Sequence, residues 1–100
     1  MANIAEGTAR IVEELIPEGD FDEKVRQLLF SEIRRRLTTF EMIDRRMRQK
    51  YGMNLEEFEA RQIVKERGFS FEVESDYHEW DQAIDAIQAL RENLRKLTAK

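Results

Sequence analysis

The sequence predicts an all-α protein in which one long central helix packs against an antiparallel C-terminal helix. Two shorter helices and a short extended crossover complete the predicted fold. An unbroken helical pattern runs from Asp20 to Gly52, and a heptad-like apolar seam fills the last quarter of the 100-residue chain. The glycines fall at predicted helix ends, apart from Gly7. We expect a single helical domain over residues 1–100 and a helical homodimer.

The first predicted helix is short and covers Ile4 to Ile16. Its apolar residues recur at helical spacing, although Gly7 weakens its first half. Pro17 and Gly19 end this helix and turn the chain into the next one.

The central helix is predicted to begin at Asp20 and to end at Gly52. Asp20 is a suitable N-cap, and acidic Asp22 and Glu23 in the first turn favour the helix macrodipole. No Pro or Gly interrupts the pattern, and Gly52 is a suitable stop. Its apolar stripe consists of Phe21, Val25, Leu28, Leu29, Ile33, Leu37, Phe40, Ile43, Met47 and Tyr51.

The length of this helix indicates assembly. At about 1.5 Å per residue it would extend roughly 45 Å, whereas a compact chain of this size has a radius of gyration of about 13 Å. Part of the helix must therefore overhang its own core or be covered by a second subunit. The predicted dimer interface is the stripe formed by Ile33, Leu37, Phe40, Ile43 and Met47.

A third helix is predicted from Asn54 to Gly68. Asn54 with Glu57 three residues later resembles a capping box, and Gly68 is the stop. The periodicity then changes, because Phe69, Phe71 and Val73 alternate with polar residues. Such alternation predicts a half-buried extended segment, either a short strand or an extended connection.

The last helix is predicted to begin after a cap at Ser75 or Asp76 and to run to about Leu97. Its apolar residues step by three and four, as in a helix that packs along another helix. The central helix is the expected neighbour, with Trp80 buried at the start of the seam. The seam consists of Trp80, Ala83, Ile87, Leu90, Leu94 and Leu97.

Composition excludes several classes of protein. Apolar residues make up 41% of the chain and charged residues 38%, which suits amphipathic helices with solvated outer faces. The absence of Cys excludes disulfides and thiolate metal sites and fits a cytoplasmic location. No signal peptide or membrane span is predicted, so we expect no membrane partner.

No catalytic motif is present. The sequence contains no nucleophile elbow, no Gly-rich phosphate loop and no zinc-binding His-Glu-x-x-His. Glu74, Asp76 and His78 could be imagined as metal ligands, but a surface histidine fits this position better than a metal site. We therefore predict no catalytic residue, no metal, no cofactor and no enzymatic activity.

Charge is distributed asymmetrically along the chain. Residues 34–50 contain seven basic and two acidic residues, a balance of 7 − 2 = +5, and residues 56–85 contain three basic and ten acidic ones, 3 − 10 = −7. One interpretation is mutual neutralisation, within the fold or across a dimer. The other is that the basic surface Arg34–Lys50 binds phosphate or an acidic protein. In the first case Arg45, Arg46 and Arg48 are the predicted nucleic-acid contacts. Aromatic residues do not interleave with this surface, so nucleic acid is the less favoured partner.

The segment from Phe69 to Trp80 is the predicted partner-binding region. Extended, aromatic and acidic segments are typical of inhibitory strands that dock on a basic protein. The alternative is that these aromatic residues plug the end of the helical core. The predicted contact residues are Phe69, Phe71, Val73, Tyr77 and Trp80.

The sequence KYGMNLEEFE, from Lys50 to Glu59, resembles the KYGMSFEEFE element of many small bacterial and archaeal proteins. In those proteins an acidic segment and a Trp-containing amphipathic helix follow, as they do in the last half of this chain. Many of them resemble the antitoxin halves of two-component toxin–antitoxin operons. The resemblance implies a non-catalytic cytoplasmic protein that binds and neutralises a basic toxin-like protein. The remaining alternatives are a nucleic-acid-associated regulator and a purely structural homodimeric subunit.

Overall fold

The computed structural model describes residues 4–99, which form an all-helical structure without strands. The predicted all-α class is therefore confirmed. Three helices are short, where the sequence predicted two. The five helices are α1 (Glu6–Leu15), α2 (Phe21–Tyr51), α3 (Leu55–Ala60), α4 (Ile63–Glu66) and α5 (Phe71–Thr98).

The ends of α2 follow the local signals in the sequence. The Asp20 carboxylate accepts a hydrogen bond from the backbone N–H of Glu23 at 2.9 Å, as an N-cap does. At the other end Gly52 adopts a left-handed backbone with φ +70°, and its N–H donates to the carbonyl oxygen of Arg48 at 2.7 Å. Both predicted boundaries of the central helix are confirmed.

The predicted third helix is in fact two helices. Asn54 caps α3 as expected, because its side-chain oxygen accepts from the backbone N–H of Glu57 at 2.8 Å. The chain then leaves helical geometry after Arg61, since Gln62 lies in the left-handed region with φ +52°. A second short helix, α4, follows immediately. Glutamine has no marked preference for this backbone conformation, so the break has no clear signal in the sequence.

The predicted extended crossover at Phe69–Val73 is wrong, and so is the predicted cap of the last helix. Ser70 is the N-cap of α5, and its hydroxyl accepts from the backbone N–H of Val73 at 3.3 Å. In a strand, Phe71 and Val73 would lie on one face. In the helix they lie on different sides, so Phe71 is 87% exposed while Val73 is buried.

The described chain divides into two compact units between Glu32 and Ile33. In the N-terminal unit, residues 4–32, α1 has no buried residue. Lys24 is the buried side chain among these residues, and it forms an ion pair with Glu13 of α1. Apolar side chains on α1 and on the first part of α2 remain exposed, and Leu15 is the most exposed of them at 69%.

The C-terminal unit, residues 33–99, contains the hydrophobic core. α2 and α5 are antiparallel, because Glu41 near the middle of α2 pairs with Arg91 near the end of α5, and Lys50 pairs with Glu72. The predicted packing of the long helix against the C-terminal helix is confirmed. Short α3 and α4 cover one end of this pair. The core cluster consists of Met47, Tyr51, Leu55, Phe58, Ile63, Val73 and Trp80.

Candidate interaction surface

Trp80 is the centre of the core and not a surface residue. Its side chain is fully buried, with 0% relative exposure, and its indole N–H donates to the Asp44 carboxylate at 2.8 Å. The ring stacks on Tyr51 at 6.1 Å and meets Phe58 edge-on at 5.3 Å between ring centroids. The predicted burial of Trp80 at the start of α5 is confirmed.

A polar cluster joins the end of α2 to the start of α5. The Asp76 carboxylate accepts from the Lys50 ammonium and from the Tyr51 hydroxyl, each at 2.6 Å. Burial alone would raise the pKa of Asp76, but these two hydrogen bonds outweigh it and lower the pKa below its usual value. Burial, and then the hydrogen bond to Asp76, raises the pKa of Tyr51 to about 12. The hydrogen bonds to Asp76 and Glu72 raise the pKa of Lys50.

The basic surface of α2 is largely paired inside the C-terminal unit. Arg46 contacts Glu79 of α5 at 2.6 Å, and Arg48 contacts Asp44 at 3.0 Å. Lys50 forms ion pairs with both Glu72 and Asp76. The Arg46 and Lys50 pairs agree with the interpretation that the basic and acidic segments neutralise each other within the fold, whereas Arg48 pairs within the basic segment itself. Of the three residues predicted to contact nucleic acid, Arg46 and Arg48 therefore already have carboxylate partners.

The predicted partner-binding segment is divided by the fold. Val73 and Trp80 belong to the core, and Tyr77 is partly buried against Phe58, with ring centroids 5.7 Å apart. Phe69 and Phe71 remain exposed, at 59% and 87% of their surface. Only these two of the five predicted residues present most of an aromatic ring to solvent.

Phe69 is the last residue of a Schellman motif that ends α4. The N–H of Phe69 donates to the carbonyl oxygen of Val64 at 2.9 Å, and the N–H of Gly68 donates to that of Lys65 at 3.0 Å. Gly68 supplies the left-handed backbone with φ +69° that this motif requires. Phe69 itself is also left-handed, with φ +55°, a conformation that is unfavourable for a bulky residue.

An open groove of about 410 Å³ lies between α3–α4 and the first turns of α5. Both non-glycine residues with a positive φ in the described chain, Gln62 and Phe69, border it. Strained backbone tends to occur at functional positions, so this coincidence marks the groove as a candidate site. Its apolar floor contains Phe58, Ile63 and Val64.

One wall of the groove is polar. The Tyr77 hydroxyl donates to the Glu59 carboxylate at 2.7 Å, and both residues line the groove. This hydrogen bond, then burial, raises the pKa of Tyr77 to about 12, with further contributions from the negative charges of Glu59 and Asp81. Two carboxylates, those of Glu59 and Asp81, therefore lie near the Tyr77 hydroxyl.

Of the eight residues that line the groove, the sequence analysis identified Phe69 and Tyr77 as site residues. It missed the other six, namely Phe58, Glu59, Gln62, Ile63, Val64 and Lys65. Gly68 offered a usable signal, because a glycine stop predicts a Schellman motif. In that motif the residue after the glycine contacts the residue four positions before the glycine. That pattern would have placed Phe69 against Val64. No comparable signal marks Gln62.

The predicted dimer stripe is also divided. Met47, at 1% exposure, belongs to the core of the chain itself, and Leu37 is buried. Ile33, Phe40 and Ile43 are half-buried. The fold thus accounts for the burial of Met47 without a second subunit.

Comparison with known proteins gives no match to a family model, a curated protein or a solved structure. Within residues 4–99, no group of three or more His, Asp or Glu side chains is arranged to hold a metal ion. No helix in the same part of the chain combines the length and the apolar character needed to cross a bilayer.

Proposed function

We propose that this protein is a non-catalytic module that binds a partner protein, as an antitoxin-like inhibitor of a basic toxin-like enzyme. The single observation that supports this best is the aromatic pair formed by Phe69 and Phe71, exposed at the start of α5. Exposed aromatic rings of this size are common at the centres of protein interfaces. The resemblance of KYGMNLEEFE to antitoxin-like proteins supports the inhibitory role.

The charge around this pair favours a basic partner. Residues 56–85 carry a balance of −7, and two of the cations that pair with them are Arg46 and Lys50 of α2. An acidic surface beside exposed aromatic rings favours a cationic protein both for encounter and for specificity.

Affinity capture from cells of the source organism tests the proposal. The wild-type chain and the double variant Phe69→Asn/Phe71→Asp serve as baits, with Asn chosen because it tolerates the left-handed backbone at position 69. We expect a basic protein to be retained by the wild type and lost from the double variant. Expression of that protein alone should arrest growth, and co-expression of the wild-type chain should restore it.

Met42→Asp is the matched control, because Met42 is an apolar residue with 60% exposure on α2, outside the groove. This variant carries the same new charge and should retain the partner and restore growth. Retention by the double variant, or growth arrest that the wild-type chain does not relieve, would contradict the proposal. Circular dichroism of each variant confirms that the helices are intact.

Nucleic-acid binding through Arg45, Arg46 and Arg48 remains the alternative. Phosphate would have to displace the carboxylates that now pair with Arg46 and Arg48. We therefore expect little binding of duplex DNA or RNA at about 150 mM salt. Submicromolar filter binding that disappears when the three arginines are changed to glutamine would favour the alternative.

A further inference from the structure

The groove beside Phe69 offers both an apolar surface and a negative rim. Ile63 and Val64 form part of its floor, and Phe69 and Tyr77 are aromatic residues on its border. Glu59 lies among them. The volume of the open groove, about 410 Å³, lies in the range of ordinary ligand pockets, so the groove has room for a large side chain.

The Glu59 carboxylate has capacity for a further donor. Tyr77 donates to Oε2 of Glu59. An ionised carboxylate accepts several hydrogen bonds, so one tyrosine does not saturate it. Asp81, one turn after Tyr77 on α5, adds a second negative charge nearby.

Lys65 is the cation that lines the groove. It is exposed, and its flexible side chain can extend into solvent.

The groove combines aromatic faces, aliphatic side chains and a carboxylate acceptor. A long cationic side chain is complementary to that combination, since its stem is apolar and its head is charged.

We propose that this groove receives an arginine or lysine side chain of the partner protein, with the aliphatic stem on Ile63 and Val64 and the charged head at Glu59. This inference rests on the proposed function, because it specifies which chemistry of the basic partner is recognised. The exposed Phe69 ring covers the stem from one side. Phe71, which lies outside the groove, contacts a different part of the partner.

Peptide titration against the full ¹⁵N-labelled chain tests the groove directly. The probe is an acetylated 12-residue peptide amide with one central arginine between two leucines, and the matched peptides carry citrulline or norleucine instead. We expect the arginine peptide to shift the amide resonances of Glu59, Ile63 and Tyr77. Its dissociation constant should be in the millimolar range, and citrulline should weaken binding at least fivefold, because it removes the charge at nearly constant shape.

Glu59→Gln should weaken binding of the arginine peptide by a similar factor and leave the affinity for the citrulline peptide unchanged. Glu92→Gln is the matched control, because Glu92 lies near the end of α5, paired with Arg95, and its loss should leave the affinity unaltered. Equal binding of the norleucine peptide would overturn the inference, since the groove would then recognise an apolar side chain. Shifts that avoid the groove residues would overturn it as well.

The outcomes separate this inference from the proposed function. If partner capture depends on Phe69 and Phe71 but neither the arginine peptide nor Glu59→Gln has an effect, the groove inference fails and the interaction module stands. If capture fails for the wild-type chain, the proposed function fails, whatever the peptides do. The ¹⁵N spectrum of each variant shows whether its fold is retained.

Discussion

Asp44 illustrates how single residues link the helices of the C-terminal unit. One of its oxygens accepts from the buried indole of Trp80, and the other accepts from Arg48 one turn away. The Asp76 carboxylate likewise accepts hydrogen bonds from Lys50 and Tyr51. Neither carboxylate is freely solvated, with side-chain exposures of 18% and 17%. At the residue scale, the junction of α2 and α5 therefore combines aromatic packing with charge-assisted hydrogen bonds.

Trp80 should be the most sensitive position for stability. Trp80→Ala removes a fully buried ring, and we expect it to lower the free energy of unfolding by about 3–5 kcal/mol. Trp80→Phe keeps much of the packing but leaves Asp44 without the indole donor, at an expected cost of about 1–3 kcal/mol. Urea denaturation measures both. Phe71→Ala is the control at an exposed aromatic residue and should change the free energy of unfolding by less than about 0.5 kcal/mol. An effect of Trp80→Ala below about 1 kcal/mol would contradict the described core.

Burial of Tyr51 and its hydrogen bond to Asp76 should make stability fall at high pH. The pKa of Tyr51 is raised in the folded chain from 10.0 to about 12, so its contribution is fully present below pH 10 and is lost as the pH rises toward 12. We expect a loss of about 1–2 kcal/mol from Tyr51 over this interval.

Urea denaturation at pH 8, 10 and 11.5 measures this loss, with Tyr51→Phe as the comparison. The variant lacks the ionisable hydroxyl and should lose less stability over the interval. Tyr77→Phe corrects for the second tyrosine with a raised pKa, which lies on α5 beside Glu59. Identical pH profiles for the wild type and Tyr51→Phe would contradict the assigned coupling.

At the scale of elements, helix caps decide where α3 and α5 begin. Asn54 and Ser70 each accept a hydrogen bond from the backbone N–H three residues later, which satisfies one of the free donors of the first turn. The left-handed residues Gln62 and Phe69 then set the directions in which α4 and α5 leave the preceding turns. The groove is a consequence of these two changes of direction.

Ser70 and Ser75 provide a matched test of the start of α5. Ser70→Ala removes the cap and should lower the free energy of unfolding by about 1 kcal/mol. Ser75→Ala lies inside the helix, where alanine is the better helix former, so it should be neutral or slightly stabilising. Thermal and urea denaturation of both variants measure the difference. The opposite order would place the start of α5 at Ser75 and restore the extended segment before it.

At the scale of the whole molecule, burial is unevenly distributed. All buried hydrophobic residues of the described chain lie in residues 33–99, whereas the N-terminal unit buries Lys24. Two helices with few buried apolar groups supply little stabilisation by themselves. Ile11, Leu15 and Leu29 are about half to two-thirds exposed. We base the proposal of a homodimer on this exposure.

We expect sedimentation equilibrium at micromolar concentration to give about twice the 12.0 kDa mass of the chain. Leu15→Asp and Leu29→Asp introduce charge into the exposed apolar surface and should shift the equilibrium toward monomer. Met42→Asp makes the same change on an exposed residue of the C-terminal unit and should not. A monomer at all concentrations would contradict the dimer. Dimers that persist in both leucine variants would favour the interface predicted at Ile33, Phe40 and Ile43.

Local side-chain chemistry in the sequence determined much of this fold. The cap at Asp20, the stop at Gly52 and the cap at Asn54 each depend on residues within one turn, so they could be read without a structure. Trp80 could be placed in the core because the seam of α5 repeats at helical spacing. The tertiary structure alone decided that Phe71 faces solvent while Val73 faces the core, that the chain breaks at Gln62, and that Arg46 pairs with Glu79. The burial of Val73 in the core and the Arg46–Glu79 pair depend on partners far apart in the sequence. A pattern of neighbouring residues does not identify which distant groups will meet.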